Sequence, residues 1–462
     1  MKIRCIHFDM KSMIPKVDFF LGMLDNLAEM GYTHVLMEFE DKFPFESYPD
    51  AVRNTAYTKD DFRRVAEKCR QLGMGVIPLL QSIGHLHYFL KEPAYRKWSE
   101  NGNIYQWCLS QRETYDIWTA MTDEILDIFP DCVYFHIGAD EMSFKSPCPL
   151  CAGKDQFQLF VARVNECADY IISKGKQPLV WDDVFRKHEF SESGDLLSKV
   201  IPCVWQYREI NKDIIKRYAE AGIRYWAASR IQSNEHRYAG MGKQRPHLQN
   251  VDDWADIQAE YPAEGHIGTL WGRIQSLDPI NTTLPQGMYV AAYLAETLLH
   301  GKIQDRHVFN RNFAERFFGL PELNMDIISY GFGNEPAIVK KELEKYLGNA
   351  PRNGEYLEIW HVFNEIDVLF GYVQMCFSSN QALLSSYRKG LVTDGILNNW
   401  SDGVRITRER TEELSQKLEA TLGKVYPMPE LREFIEERFM AMLEINEKWG
   451  EILRETASKP HL

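Results

Sequence analysis

Val133-Tyr-Phe-His-Ile-Gly-Ala-Asp140-Glu141 is an apolar run that ends abruptly in two adjacent carboxylates. In a parallel α/β protein, helices cover the sides of each strand and only its C-terminal tip is open, so polar groups presented to a pocket gather there. The rest of the chain repeats the pattern. The quoted run reads as a strand over Cys132–Gly138, and similar runs lie near Ile3–Asp9, His34–Phe39, Gly75–Leu80, Gln177–Trp181, Val200–Trp205, Ile223–Ala228 and His266–Trp271. Segments of helical period separate them near 16–30, 58–72, 112–129, 155–174, 211–221, 250–260 and 285–300. Eight strands, each followed by a helix, predict an α/β fold of the (β/α)8 TIM-barrel type. An open doubly wound sheet is the structural competitor, because strand number alone does not prove closure.

Helix ends agree with this reading. Thr58-Lys-Asp-Asp61 has the form of an N-cap with acids in the first turn, and Gly31, Gly73, Gly175 and Gly222 stand where helices should stop. From about residue 302 the alternation ceases and helical pattern continues near 307–318, 335–347, 355–378, 405–423 and 429–456. Residues 348–354 and Gly390–Asp402 read as connections. The expected organisation is a barrel over 1–301 and a C-terminal helical domain over 302–462. The apolar stretch Tyr356–Phe370 suits either packing on the barrel or a homodimer face.

A net charge of −13 and a pI near 5.6 argue against a nucleic-acid partner, which would need clustered Lys and Arg. Met1-Lys-Ile-Arg-Cys-Ile-His enters a strand directly, without the parts of a secretory signal, and no apolar run is long enough to span a bilayer. A cytoplasmic protein without a membrane partner is expected. Nine cysteines, an odd number dispersed along the chain, fit free thiols in a reducing compartment. Cys148-Pro-Leu-Cys151 has the spacing of half a zinc knuckle or a redox pair; with no second pair, a plain surface loop is the preferred reading, and neither metal nor cofactor is expected.

The strand tips carry the polar candidates: Asp9 and Lys11; Glu40 and Asp41; His85 and His87; Asp140 and Glu141; Trp181, Asp182 and Asp183; Trp205 and Tyr207; Ser229 and Arg230; Trp271 and Arg273. Acids beside tryptophans suit a sugar site, since aromatic faces stack on a pyranose while carboxylates bond its hydroxyls and handle protons. Each feature alone has a plainer explanation: adjacent acids cap helices, and a lone tryptophan belongs to the core. Their coincidence on one barrel face favours the sugar site.

His136-Ile-Gly-Ala-Asp140-Glu141 resembles the (His/Asn)-x-Gly-x-Asp-Glu motif of family 20 glycoside hydrolases, the β-N-acetylhexosaminidases. Phe8-Asp9-Met-Lys11, Glu38-Phe-Glu40-Asp41-Lys-Phe-Pro44, Val76-Ile-Pro78-Leu-Leu-Gln81-Ser-Ile-Gly84-His85 and Leu270-Trp271-Gly-Arg273 resemble that family's hexosaminidase D branch. The resemblance spans roughly residues 3–300. It implies a retaining exo-glycosidase for terminal β-linked GalNAc or GlcNAc, leaning towards GalNAc, that acts through an oxazolinium ion formed by the substrate's own acetamide. Glu141 becomes the general acid and then base, which calls for a raised pKa, and Asp140 holds the acetamido N–H. His85 supports the acid/base, backed by Glu40 or Asp41. Trp181, Trp205 and Trp271 enclose the acetamido group and underlie the ring, with Tyr207 bonding the acetamido oxygen. Lys11 replaces an arginine that grips the sugar in many members, so recognition differs here, and Glu40, Asp41 and Arg273 become candidate hydroxyl contacts. Asp182 and Asp183 position Trp181 and its loop, or cap the helix that follows.

Two other classes compete. His7-Phe-Asp9 and His85-Leu-His87 have the alternating spacing of strand-borne ligands in metal-dependent barrel hydrolases, although no further histidine set appears at the later tips. A non-catalytic carbohydrate-binding barrel would use the same aromatic residues and acids; it would not need Glu141 as an acid.

Overall fold

The computed structural model describes residues 1–142, 147–232, 240–273, 275–389 and 394–457. Eight parallel strands form a closed barrel: β1 (Ile3–Asp9), β2 (His34–Glu38), β3 (Gly75–Leu79), β4 (Tyr134–His136), β5 (Gln177–Trp181), β6 (Ile201–Trp205), β7 (Trp226–Gln232) and β8 (Gly265–Leu270). Each pairs with its neighbours in sequence, and Ile3 to Ile6 pair with Gly265 to Gly268 to close the ring. That closure rules out the open doubly wound sheet. Inward side chains including Cys5, Leu36, Ile77, Leu179, Ile201, Cys203, Trp226 and Ile267 fill the barrel as a packed core.

Local chemistry places the helices as the sequence reading expects. Thr58 accepts the Asp61 N–H at 3.1 Å while the Asp61 carboxylate takes the Thr58 N–H at 3.0 Å, a reciprocal cap that contributes about 1 kcal/mol to the helix Lys59–Gln71. Gly31, Gly73, Gly175 and Gly222 all adopt positive φ, the left-handed conformation that ends a helix and that side chains disfavour.

Three departures have physical causes. β4 is shorter than Cys132–Gly138 because Gly138, at φ +67°, turns the backbone out of the sheet. β7 begins later than Ile223 and runs on to Gln232, beyond the expected end at Ala228. Polar Ser229 and Arg230 continue it, anchored by hydrogen bonds: Ser229 Oγ meets His266 Nε2 at 2.9 Å, and the Arg230 backbone N–H donates to Asn250 at 2.9 Å. A two-stranded hairpin, Ser99–Glu100 with Asn103–Trp107, follows β3 and escaped the sequence reading altogether.

The chain resolves into two compact units: Met1–Ser233, Arg245–Asp278 and Gly287–Phe309 form one; Asn234–Gln244, Pro279–Gln286 and Asn310–Leu462 form the other. The first carries the barrel. The second contains the long helices Gly354–Arg388, Asp394–Leu422 and Met428–Ala457, which pack on one another. The connection expected over Gly390–Asp402 is helical from Asp394 onward; residues 390–393 lie outside the described residues. In the Tyr356–Phe370 stretch, Tyr356, Leu357, Trp360 and Phe363 are buried within the single chain, with Trp360 against Phe318 at 5.4 Å and Phe332 at 5.7 Å. No helix among the described residues is long and apolar enough to cross a membrane.

Candidate active site

The tip of β4 is shaped by backbone that ordinary residues avoid. Gly138, Ala139 and Glu141 have φ of +67°, +69° and +51°, so the chain coils sharply and turns the two acids in different directions. A Cβ at Gly138 would lie 2.0 Å from Gln81 Oε1, so any side chain there would displace Gln81. That same oxygen accepts the Ala139 N–H at 3.1 Å, and Gln81 Nε2 donates to Asp140 Oδ1 at 3.0 Å. Gln81 therefore holds both the turn and the first acid.

Asp140 is buried, and its Oδ2 stands 3.3 Å from His85 Nε2. Burial alone would raise its pKa, but the charge of His85 and the hydrogen bonds from His85 and Gln81 win and hold the carboxyl below its ordinary range. For His85, burial opposes the charged form and Asp140 more than offsets it, lifting the imidazole to about 9. Glu141 points outward: its side chain is 55% exposed, with Oε2 3.6 Å from the same imidazole nitrogen. Its backbone is fixed instead, the N–H by Asp183 Oδ2 at 3.2 Å and the carbonyl by the Tyr105 hydroxyl at 3.1 Å.

Tyr105 comes from the hairpin, which two backbone bonds tie to the loop after β3: Leu86 N–H to Tyr105 O at 2.9 Å and Trp107 N–H to Ile83 O at 3.1 Å. Its hydroxyl also meets His85 Nε2 at 3.1 Å. Neither Tyr105 nor Gln81 was singled out from the sequence. Gln81 had two signals, its place at the tip of the third strand and its place in the Val76–His85 stretch that carries the family resemblance; Tyr105 had none, because the hairpin is a long-range partner of the loop.

The expected carboxylate backing of His85 is arranged differently. No contact joins Glu40 or Asp41 to that ring among the described residues. Asp41 faces Arg53 at 4.0 Å, and Glu40 faces Lys11 at 3.5 Å. Lys11, offered by the sequence as a substrate contact, directs its ammonium at Asp9 (3.0 Å), Glu38 (3.2 Å) and Glu40, and only 3% of the residue is exposed. His7 Nε2 completes this cluster at 3.1 Å from Glu38. Burial and the neighbouring acids Glu38, Asp9 and Asp41 push Glu40 well above the carboxylate range against the pull of Lys11, whereas Lys11 and His7 overcome burial to hold Glu38 low. Glu40 also sits at φ +45°.

Aromatic residues line the neighbouring tips. Trp181 is fully buried, 4.3 Å from His136 and 6.1 Å from Trp271. Trp205 and Trp271 keep part of their surface open; Trp205 stacks on Tyr207 at 5.2 Å, and Trp271 Nε1 donates to the Tyr207 hydroxyl at 3.1 Å. Arg273 is buried and donates to the Ser276 carbonyl at 2.8 Å. Asp182 accepts the Trp205 N–H at 3.3 Å, and burial raises it to about 7; Asp183, raised to about 6 chiefly by burial and Asp140, holds the Glu141 N–H.

The histidines of the metal-hydrolase reading do not converge: His7 is directed at Glu38, and His87 packs edge-on to Tyr105 at 5.4 Å. The group of metal-ligating side chains found among the described residues is Glu100, Cys108, Cys148 and Cys151. Cys148 and Cys151 are thus buried beside a third thiol, not placed on a plain surface loop, because Cys108 and Glu100 reach them from the hairpin.

The family model for the catalytic domain of glycosyl hydrolase family 20 matches residues 23–265. The chain is 26% identical over 347 residues to hexosaminidase D of Bos taurus, covering 70% of this chain and 98% of that protein. It is 25% identical over 364 residues to hexosaminidase D of Homo sapiens, covering 72% and 73%. Among solved structures, β-N-acetylhexosaminidase of Bacteroides fragilis superposes with a TM-score of 0.54 at 17% identity, covering 68% of this chain and 70% of that one. The N-acetyl-β-hexosaminidase of Streptomyces plicatus gives 0.52 at 16%, covering 72% and 69%, so both share the barrel fold. With a family match across most of its barrel and the Asp140–Glu141 tip at the barrel's open end, this chain belongs to glycosyl hydrolase family 20.

Proposed function

We propose that this chain is a retaining exo-β-N-acetylhexosaminidase that removes terminal β-linked N-acetylgalactosamine or N-acetylglucosamine from glycoconjugates, with the substrate supplying the nucleophile. One observation carries the reading: two adjacent acids are held in opposite ways. Asp140 is buried and clamped at both oxygens, while Glu141 has a fixed backbone and an outward, exposed carboxyl with His85 3.6 Å away. A clamped anion suits a steady charge; an exposed carboxyl suits proton traffic.

In the first step the acetamido oxygen attacks the anomeric carbon as the glycosidic bond breaks, and Glu141 gives its proton to the leaving oxygen. Asp140 accepts the acetamido N–H and stabilises the positive charge that develops as the oxazolinium ion forms. In the second step Glu141, now a carboxylate, takes a proton from water as that water attacks the anomeric carbon and reopens the ring. Two inversions leave the configuration retained. Trp205 and Trp271 offer aromatic surface to the sugar, Trp181 backs Trp271, and Tyr207 is the candidate donor to the acetamido oxygen. His85, charged below about pH 9, stands between both acids and moderates their mutual repulsion. A reducing, cytoplasmic setting belongs to the same reading and is supported by the free, buried cysteines.

The test is turnover of 4-nitrophenyl N-acetyl-β-galactosaminide and N-acetyl-β-glucosaminide. Glu141→Gln is expected to lose about 10²–10⁴-fold in kcat while the sugar still binds, and a thiazoline mimic of the oxazoline should inhibit the wild type strongly. Turnover near wild type in Glu141→Gln would defeat the assignment of the acid.

A further inference from the structure

We propose that Glu100, Cys108, Cys148 and Cys151 form a closed structural site for a thiophilic divalent cation, zinc being the metal that suits these donors. Cys108 Sγ lies 3.4 Å from Cys148 Sγ and 3.7 Å from Cys151 Sγ, and Cys151 Sγ lies 3.2 Å from Glu100 Oε2. All four donor atoms fall within 4.8 Å of one another. A tetrahedral ion with Zn–S near 2.3 Å and Zn–O near 2.1 Å sets its donors about 3.6–3.8 Å apart. Small adjustments of side chains already facing one point would reach that geometry.

The plainer alternative is that three thiols pack as small apolar groups. Glu100 argues against it. This carboxylate is 2% exposed, and among the described residues no cationic side chain stands within ion-pair distance of it. Among those residues its oxygens meet only the Cys148 N–H and the Cys151 thiol; a buried carboxylate without a counter-charge is costly, and a cation held jointly with the thiolates would remove that cost. The nearby Lys154 ammonium goes instead to Ser110 Oγ at 3.0 Å, and that hydroxyl sits 3.2 Å from Cys151 Sγ, placed to bond a thiolate from outside the coordination sphere.

Local backbone also fits. The Cys151 and Ala152 N–H groups both donate to the Cys148 carbonyl, at 3.0 and 2.8 Å, closing a tight turn that brings two cysteines to one side. Structural zinc sites take two ligands from such Cys-x-x-Cys turns and two from elsewhere. Here the others flank the hairpin: Glu100 ends its first strand and Cys108 follows its second. With four protein donors no position is left for water, so the ion would join elements and take no part in hydrolysis. It would join the Cys148–Cys151 turn to the hairpin that presents Tyr105.

The full chain, purified without chelator, should carry about one zinc per polypeptide by elemental analysis. After stripping, cobalt should bind and show a thiolate-to-metal charge-transfer band. In Cys108→Ser and Cys148→Ser, metal content should fall at least about tenfold. A reduced, stripped wild-type chain that takes up neither zinc nor cobalt would overturn the proposal, and so would a native Cys108–Cys148 disulfide or full metal content in both serine variants. Wild-type reloading keeps the test decisive even if a variant fails to fold. Its readout is metal, so it fails or succeeds independently of the glycosidase assay.

Discussion

Two stretches of the barrel rim are equally rich in acids and are built to opposite ends. At the tips of β1 and β2, Asp9, Glu38 and Glu40 surround Lys11, and every member is buried. Past β3 and β4, His85 faces Asp140 and Glu141, and one carboxyl reaches solvent. The first network meets its charges internally, so it sets a field and a shape. The second leaves one carboxyl, that of Glu141, largely open to solvent, and an accessible group is what the proposed proton transfer requires. On the proposed reading, burial and charge alone do not mark the acid/base; the open member, Glu141, does.

The contrast can be broken at its closed end first. Lys11→Met removes the cation from Asp9 and Glu38 and should lower unfolding free energy by about 3–5 kcal/mol near neutral pH, with a smaller loss in acid as the carboxylates take up protons. Denaturant titrations at two pH values check this, and a variant as stable as wild type would sink the closed-network reading. Next, Asp140→Asn should cost about 10²–10³-fold in kcat on N-acetylated substrates. An unchanged affinity of the variant for a thiazoline mimic of the oxazoline would count against its role.

The His85–Asp140 pair makes a subtler prediction. The folded-state pKa of His85 is raised to about 9 from an ordinary value near 6.5, so its contribution is fully present below about pH 6.5 and is lost as pH rises through 9. Stability should fall across that interval by at most roughly 3 kcal/mol, and His85→Gln should flatten the curve. An unchanged slope in the variant would show that other groups titrate there. The smallest effect is expected from Tyr105→Phe, which loses the bonds to His85 and to the Glu141 carbonyl: about 1 kcal/mol, read as a modest fall in kcat with little change in KM.

What was legible in the sequence was local. β1 and β5 fall where the apolar runs place them, the Thr58 cap and the four glycine stops are self-contained signals, and the Asp140–Glu141 tip is announced by its own strand. What was not legible depends on partners distant along the chain. Tyr105 meets His85 only because the hairpin pairs with the loop after β3, and the Cys148–Cys151 turn looks ordinary until Cys108 and Glu100 arrive beside it. β7 was cut short because polar residues end an apolar run in the sequence, whereas in the barrel hydrogen bonds keep them in the strand. The acids around Lys11 were hidden too, because they come from two strands whose register decides their meeting.

Six non-glycine residues among those described have left-handed backbone, and four of them are Glu40, His85, Ala139 and Glu141. Each costs on the order of 1–2 kcal/mol relative to ordinary helical or extended backbone, so a short peptide of this sequence would not hold the rim in shape. The order of assembly follows. The paired strands beneath must hold these residues in place, and a chain in which they have not yet packed would carry every residue of the motif without its constellation. Competence to hydrolyse should therefore emerge late and together with the final cooperative phase of refolding.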